Sequence, residues 1–248
     1  MDELNFVFTL LLFAAGFFAS VVNMLAGGGS MIVLGLMVIM GVEPAVANAT
    51  NRIGVLVSTA SGAAALKSEK FTDIKESLKL SLLTMPGAIL GALFSVRISN
   101  ELFEKLLAFV MVFVIVSLFL PQKTAVAEQS KIRKILIYPA MILVGFYGGF
   151  IQVGVGILIY GTLRHLSGME LMNITMHRVF IVLLYTIPAI VIFIVSGKIN
   201  WVYALILSAG NALGSWMTIK LALKKGDIVV KIGLAVTAGL MILRFLMT

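Results

Sequence analysis

The sequence predicts an all-α polytopic membrane protein of two inverted-topology repeats. Each repeat is a glycine-broken or re-entrant helical block followed by three transmembrane helices. Three observations predict this. Of 248 residues, 60% are hydrophobic and 12% are charged, more apolar surface than a soluble domain of this length can bury. The apolar residues form runs near the 20 needed to cross a bilayer. The same small motifs also recur, in the same order, in both halves of the chain.

Read in order, the first apolar block runs from Leu4 to Met40 and is interrupted by Gly27-Gly28-Gly29. Helices follow at about 44–66, 77–96 and 102–120, the last before a polar loop from Pro121 to Lys134. The second block, about 135–163, carries Gly145, Gly148, Gly149, Gly154 and Gly156. Helices follow at about 169–195, 201–221 and 229–246. The whole chain, 1–248, reads as one membrane domain, with repeat A over about 4–120 and repeat B over about 132–247. The acidic start, Met1-Asp2-Glu3, reads as the beginning of a retained segment, because a secretory signal begins with basic residues.

The net charge of +8 does not indicate nucleic acid. Most of the basic residues fall in three short clusters: Lys67/Lys70/Lys75/Lys79, Lys123/Lys131/Arg133/Lys134 and Lys220/Lys224/Lys225/Lys231. Short basic loops between apolar runs are the positive-inside pattern of a multi-pass inner-membrane protein, and no aromatic residues alternate with them to stack bases. Two crossings separate the first two clusters, so both can face the cytoplasm. The third joins them only if block 135–163 crosses an even number of times, as a hairpin or re-entrant segment does. The freed backbone of such a break must be buried in protein or line a cavity. Each half then crosses an odd number of times, and the halves have opposite orientation, a construction common in transporters.

The repeats share residues as well as layout. Gly16-Phe17-Phe18 resembles Gly145-Phe146-Tyr147, Asn23 aligns with Gln152, and Gly27 with Gly156. Gly87-x-x-x-Gly91 matches Gly210-x-x-x-Gly214; both read as close-packing sites, within one chain or in a homodimer. Arg52, after Asn48-Ala49-Thr50-Asn51, aligns with Arg178, after Asn173-Ile174-Thr175-Met176-His177. Counted from the helix ends, each arginine lies roughly 12–15 Å deep, near the midplane.

Arginine does not give up its proton, so at that depth it needs an anion, a partner or water. Neither run contains a carboxylate, and the simplest missing partner is an anionic substrate. The plainer reading is snorkelling or bonding to backbone carbonyls. Gly27, Gly28, Gly29, Gly154 and Gly156 are either packing glycines or chain breaks whose N–H groups face an anion. Asn23, Gln152, Asn51, Thr50 and Thr175 are neutral hydrogen-bond partners for it, or interhelical bonds worth about 0.6 kcal/mol each. His177, beside a fixed cation, favours its neutral ring and could gain a proton when an anion arrives. No Asp or Glu lies in an apolar interior, so a coupled proton would travel on His177 or on the substrate.

An enzyme is not expected. Gly28-x-Ser30 formally matches an intramembrane serine hydrolase, but any histidine base is remote in sequence. No lysine follows the glycine run, so it is not a P-loop. With no cysteine in the chain, there is no cysteine metal site or disulfide, and neither a cofactor nor a metal is expected.

The Asn23-x-x-x-Gly27-Gly28-Gly29 run, followed by Gly41-Val42-Glu43-Pro44-Ala45-x-Ala47 and Ala49-Thr50-Asn51, resembles the TauE/SafE family of sulfite and organosulfonate permeases. A degenerate second copy follows in the C-terminal half. The resemblance implies a secondary transporter, an exporter working by alternating access, for sulfite or an organosulfonate. An anion channel is the alternative within transport, and the hydrolase the alternative from another class. The partners expected are a small anion and membrane lipid.

The topology is directly testable in a chain without native cysteine. Single cysteines at Lys70, Lys123 and Lys224 should resist an impermeant thiol reagent added outside, whereas one at Lys198 should react. Outside labelling of the first three would refute the inverted arrangement.

Overall fold

The computed structural model describes residues 6–25, 27–68, 73–119 and 131–225. The expected last helix, at 229–246, lies outside the described residues, as do the acidic start and most of the loop after residue 119. Nine helices form among the described residues: α1 (Phe6–Leu25), α2 (Ser30–Ile39), α3 (Pro44–Ser68), α4 (Ile74–Arg97), α5 (Asn100–Phe119), α6 (Lys131–Phe150), α7 (Val155–Ser167), α8 (Leu171–Val195) and α9 (Trp201–Lys225). No strand is present among them.

Both glycine-rich blocks are broken, as expected, and each folds back on itself. Gly27, at φ +80°, turns the chain after α1. By Gly29 the backbone lies against Ala19, so close that a Cβ would sit 1.9 Å from the Ala19 carbonyl oxygen. In the second block the break falls at Ile151–Gly154, between α6 and α7. Val155, Ile159 and Leu163 of α7 then share a buried cluster with Met141 and Val144 of α6. Each block is thus a hairpin of one long and one short helix.

Helix ends follow local chemistry. α2 stops at Gly41 (φ +81°), where the N–H of Gly41 bonds Val38 O and that of Val42 bonds Met37 O, both at 2.9 Å. This glycine-centred cap satisfies carbonyls that would otherwise be orphaned. Pro44 then opens α3, where its missing N–H is no loss. Gly168 and Gly197, also left-handed, follow the ends of α7 and α8.

Among the described residues, four helices are long and apolar enough to cross a membrane: Phe6–Leu25, Ile74–Arg97, Leu171–Val195 and Trp201–Ala222. α3 has 25 residues, the length to cross. Asn48, Thr50, Asn51 and Arg52 make it too polar to qualify by composition, and all four are buried against neighbouring helices. Phe6, Leu10, Phe18, Leu82, Leu90, Val191 and Leu205 point outward, as lipid-facing residues do.

The packing repeats in pairs. α1 lies on α9 as α6 lies on α4, and α3 lies on α9 as α8 lies on α4. The correspondence extends to atoms. A Cβ at Gly16 would meet Leu207 O at 2.5 Å, and one at Gly145 would meet Thr84 O at 2.0 Å. Gly210 faces Phe13 O as Gly87 faces Ile142 O, and Gly214 faces Phe17 O as Gly91 faces Phe146 O. The glycine pairs expected to pack helices therefore pack α1 on α9 and α4 on α6 within one chain.

Gly149→Ala would drive a Cβ to 2.0 Å from Ala88 O, an overpacking that costs about 1–3 kcal/mol. Thermal unfolding of the purified protein should show a clear drop in Tm for Gly149→Ala. Gly161→Ala, where a Cβ meets nothing within 4 Å, should show none.

Candidate functional site

The breaks of the two hairpins meet. A Cβ on either Gly27 or Gly156 would lie 2.4 Å from the Cα of the other, so only hydrogens fit between them. Arg178 Nη1 stands beside both, 3.0 Å from each of those Cβ positions. Next to this contact is a cavity of about 30 Å³. Its walls carry Asn23 and Gly27 from the first hairpin, Gln152 and Gly156 from the second, and Arg178 from α8. Ser30, the first residue of α2, and Val155, the first of α7, also line it. Two half-helices thus direct their positive ends at one space, the polarity that suits an anion.

The walls contain polar atoms that the protein does not satisfy. Both side-chain ends of Gln152, which is 2% exposed and stands beside the Tyr185 hydroxyl, make no hydrogen bond of good geometry, and neither does the buried Ser58 Oγ. Gln152 also holds a left-handed backbone, φ 68°, the only non-glycine to do so among the described residues. Buried polar atoms without partners are costly, and non-glycine residues in left-handed conformations cluster at functional sites.

The two arginines are not equivalent. Arg178 is 5% exposed, lines the cavity and donates from Nη2 to Met24 O, near the end of α1. Arg52 is fully buried and does not line the cavity. Its guanidinium donates to Gly148 O at 2.8 Å and to Gly149 O at 2.6 Å, and lies 4.7 Å from the centre of the Phe193 ring. Those carbonyls belong to the last turn of α6, which has no helical partner for them and carries a partial negative charge. Asn48 Nδ2 adds a bond to Phe150 O at 3.0 Å. Among the described residues, neither arginine has a carboxylate partner.

The remaining candidates lie elsewhere. Thr50 Oγ1 accepts from the Asn200 N–H at 3.0 Å and anchors the start of α9. Asn51 is buried, with its Nδ2 unpartnered. Thr175 donates to Leu171 O within its own helix. Gly28 faces open space, Gly29 packs on Ala19, and Gly154 forms the left-handed entry to α7. His177 Nδ1 is 2.7 Å from Ser77 Oγ, and Nε2 is 3.6 Å from the exposed Asp73 Oδ2. Both ring nitrogens therefore face the start of α4, which gives Ser30 no support as a hydrolytic nucleophile.

Sequence reasoning missed Ser58, Thr59 and Tyr185. Val55, Ser58 and Thr59 follow a helical spacing and share the cavity wall, a periodicity that could have exposed them. Tyr185 crowds Gly148, where its ring would leave a Cβ only 2.9 Å from Cζ. No motif announces it.

The family model described as sulfite exporter TauE/SafE matches residues 12–245. The chain is 26% identical over 248 residues to the "Probable membrane transporter protein ORF9" of Sinorhizobium sp, covering 99% of this chain and 95% of that one. It is 23% identical over 223 residues to a "Probable membrane transporter protein" of Haemophilus influenzae, covering 89% and 88% of the two chains. It is also 23% identical over 234 residues to the "Probable membrane transporter protein YfcA" of Escherichia coli K12, covering 93% and 86%. No solved structure matches it. On a match that spans nearly its whole length, this membrane protein belongs to the TauE/SafE sulfite exporter family.

Proposed function

We propose that the chain is a secondary transporter of a small oxyanion, sulfite before any organosulfonate, bound where the two hairpins meet and carried by alternating access. The observation that carries this reading is Arg178. It is a buried cation without a carboxylate partner among the described residues, in a cavity that also holds unpartnered Gln152 and Ser58 groups. A buried charge must be paired to be tolerated, and two half-helix N-termini favour the same sign of ligand. Asn23, Gly27 and Gly156 complete the binding shell. Arg52 adds a second positive charge to the interior and holds α6 in place. Thr50, Asn51, Thr175, His177, Gly28, Gly29 and Gly154 support the helices around the site.

Size and symmetry support the finer points. A cavity near 30 Å³ has room for about one or two waters, which suits a compact anion better than a long sulfonate. The pairwise correspondence of glycine contacts supports two related repeats, and the placement of basic loops supports their inversion in the inner membrane. Export follows from the family description alone.

Sulfite affinity of the purified, folded variants tests the reading. A charge-assisted bond contributes about 1.5–3 kcal/mol, so Arg178→Gln should weaken binding roughly ten- to a hundredfold. Arg178→Lys should lie between it and the wild type, because the charge stays but the planar fork is lost. Arg52→Gln should lower yield and Tm while the folded fraction keeps its affinity. Unchanged affinity in Arg178→Gln would overturn the proposal.

A further inference from the structure

We infer that Arg178 is the latch of a gate: an anion entering the cavity takes its guanidinium from the Met24 carbonyl and frees the α1–α2 hairpin, while the α6–α7 hairpin stays fixed. This rests on the anion reading above.

The site is narrow as it stands. Arg178 Nη1 is wedged beside Gly27 and Gly156, whose backbones touch. An anion with three oxygens needs more than the one or two waters' worth of space beside them. One hairpin must therefore withdraw before the anion can reach the guanidinium squarely.

The two hairpins are held very differently. The end of α6 is tied by Nη1 and Nη2 of Arg52, to Gly148 O and Gly149 O, and by Asn48 to Phe150 O. Tyr147 OH adds a bond across the turn to Val153 O. None of these donors faces the cavity, so an anion there does not compete for them. Among the described residues, the hydrogen bond that ties the end of α1 from outside its own hairpin comes from Arg178, at Met24 O. Inside the hairpin, the Gly27 N–H donates to Val22 O at 3.0 Å, and the tie between its two helices, Ser30 N–H to Asn23 Oδ1, is long at 3.3 Å. Gly27 supplies the pivot, since its left-handed backbone turns without a side-chain penalty.

The arginine that binds the anion is thus also the one that closes the weaker hairpin. Ligand and closure compete for one guanidinium, so binding shifts the population towards the open tip. In the proposed topology this gate opens on the side from which the α1–α2 hairpin enters, opposite to that of α6–α7.

Backbone hydrogen exchange on the intact protein in lipid nanodiscs, with and without sulfite, tests this. After correction for intrinsic rates, amides at Gly27–Ser30 should exchange at least tenfold faster than those at 151–154 in the absence of anion, the scale of one charge-assisted bond. Saturating sulfite should accelerate the first set further and leave the second unchanged. Arg178→Gln should abolish the sulfite effect, while Arg52→Gln should loosen only the second set. Gly27→Ala, whose Cβ forces the tips apart, should mimic sulfite at the first. Equal rates at the two tips without anion would overturn the inference. So would sulfite protecting the first tip, or leaving it unchanged in protein that calorimetry shows to bind sulfite. If calorimetry shows no sulfite binding, the substrate reading fails, and the anion-free comparison of the two tips decides the gate by itself.

Discussion

Two guanidinium groups, each reaching from one half of the chain to the broken helix of the other, fix the centre of this molecule. Arg52 of α3 closes the last turn of α6, and Arg178 of α8 closes the last turn of α1. A helix that ends inside an apolar bundle leaves carbonyls with neither water nor helix to satisfy them. A cation is the best available partner, because it meets both the hydrogen-bonding need and the negative end of the dipole. The same cation, once buried, is itself uncompensated by any carboxylate among the described residues. Broken helices therefore call for the arginines, and in the proposed function the one that lines the cavity, Arg178, also meets the anion.

This arrangement works only because the helices come very close. Gly16, Gly87, Gly91, Gly145, Gly149, Gly210 and Gly214 bring backbone against backbone, leaving no space for a Cβ. Packing of this kind replaces the hydrophobic effect, which does not drive one helix onto another in lipid. Close approach puts the carbonyls at the end of α6 within reach of a side chain on α3. It also lets the hairpin tips touch at Gly27 and Gly156. Ser77, Ser81 and Thr84 of α4 bond their own backbone or His177. This keeps polar groups satisfied along a helix that faces lipid on its other side.

Much of this was legible in the sequence, and the reasons are physical. Apolar runs of membrane length, glycine breaks at 27–29 and 154–156, and the paired GxxxG motifs are local signals that lipid enforces strongly, so the helices and breaks among the described residues fall close to where they were expected. The meeting of Asn23, Gln152, Gly27, Gly156 and Arg178 at one cavity also followed from their matched positions. The matched motifs hid the inequality of the arginines. Alignment made Arg52 and Arg178 equal, and each does bond the last turn of the opposite hairpin's long helix, at Gly148 and Gly149 and at Met24, but of the two Arg178 lines the cavity. Which arginine reaches the cavity depends on how helices slide against each other, and no residue pattern encodes it. His177 likewise looked like a site residue because of its neighbour. Successive residues on a helix point about 100° apart, and this one faces Ser77 and Asp73 instead.

The most direct measurement is an experimental structure with sulfite, or its heavier analogue selenite, bound in lipid. The anion should lie within hydrogen-bond reach of the Arg178 guanidinium and the Gln152 amide. Arg52 should remain on the carbonyls of Gly148 and Gly149. Density for the anion on Arg52, or at a place that neither arginine touches, would contradict the division of labour between the two.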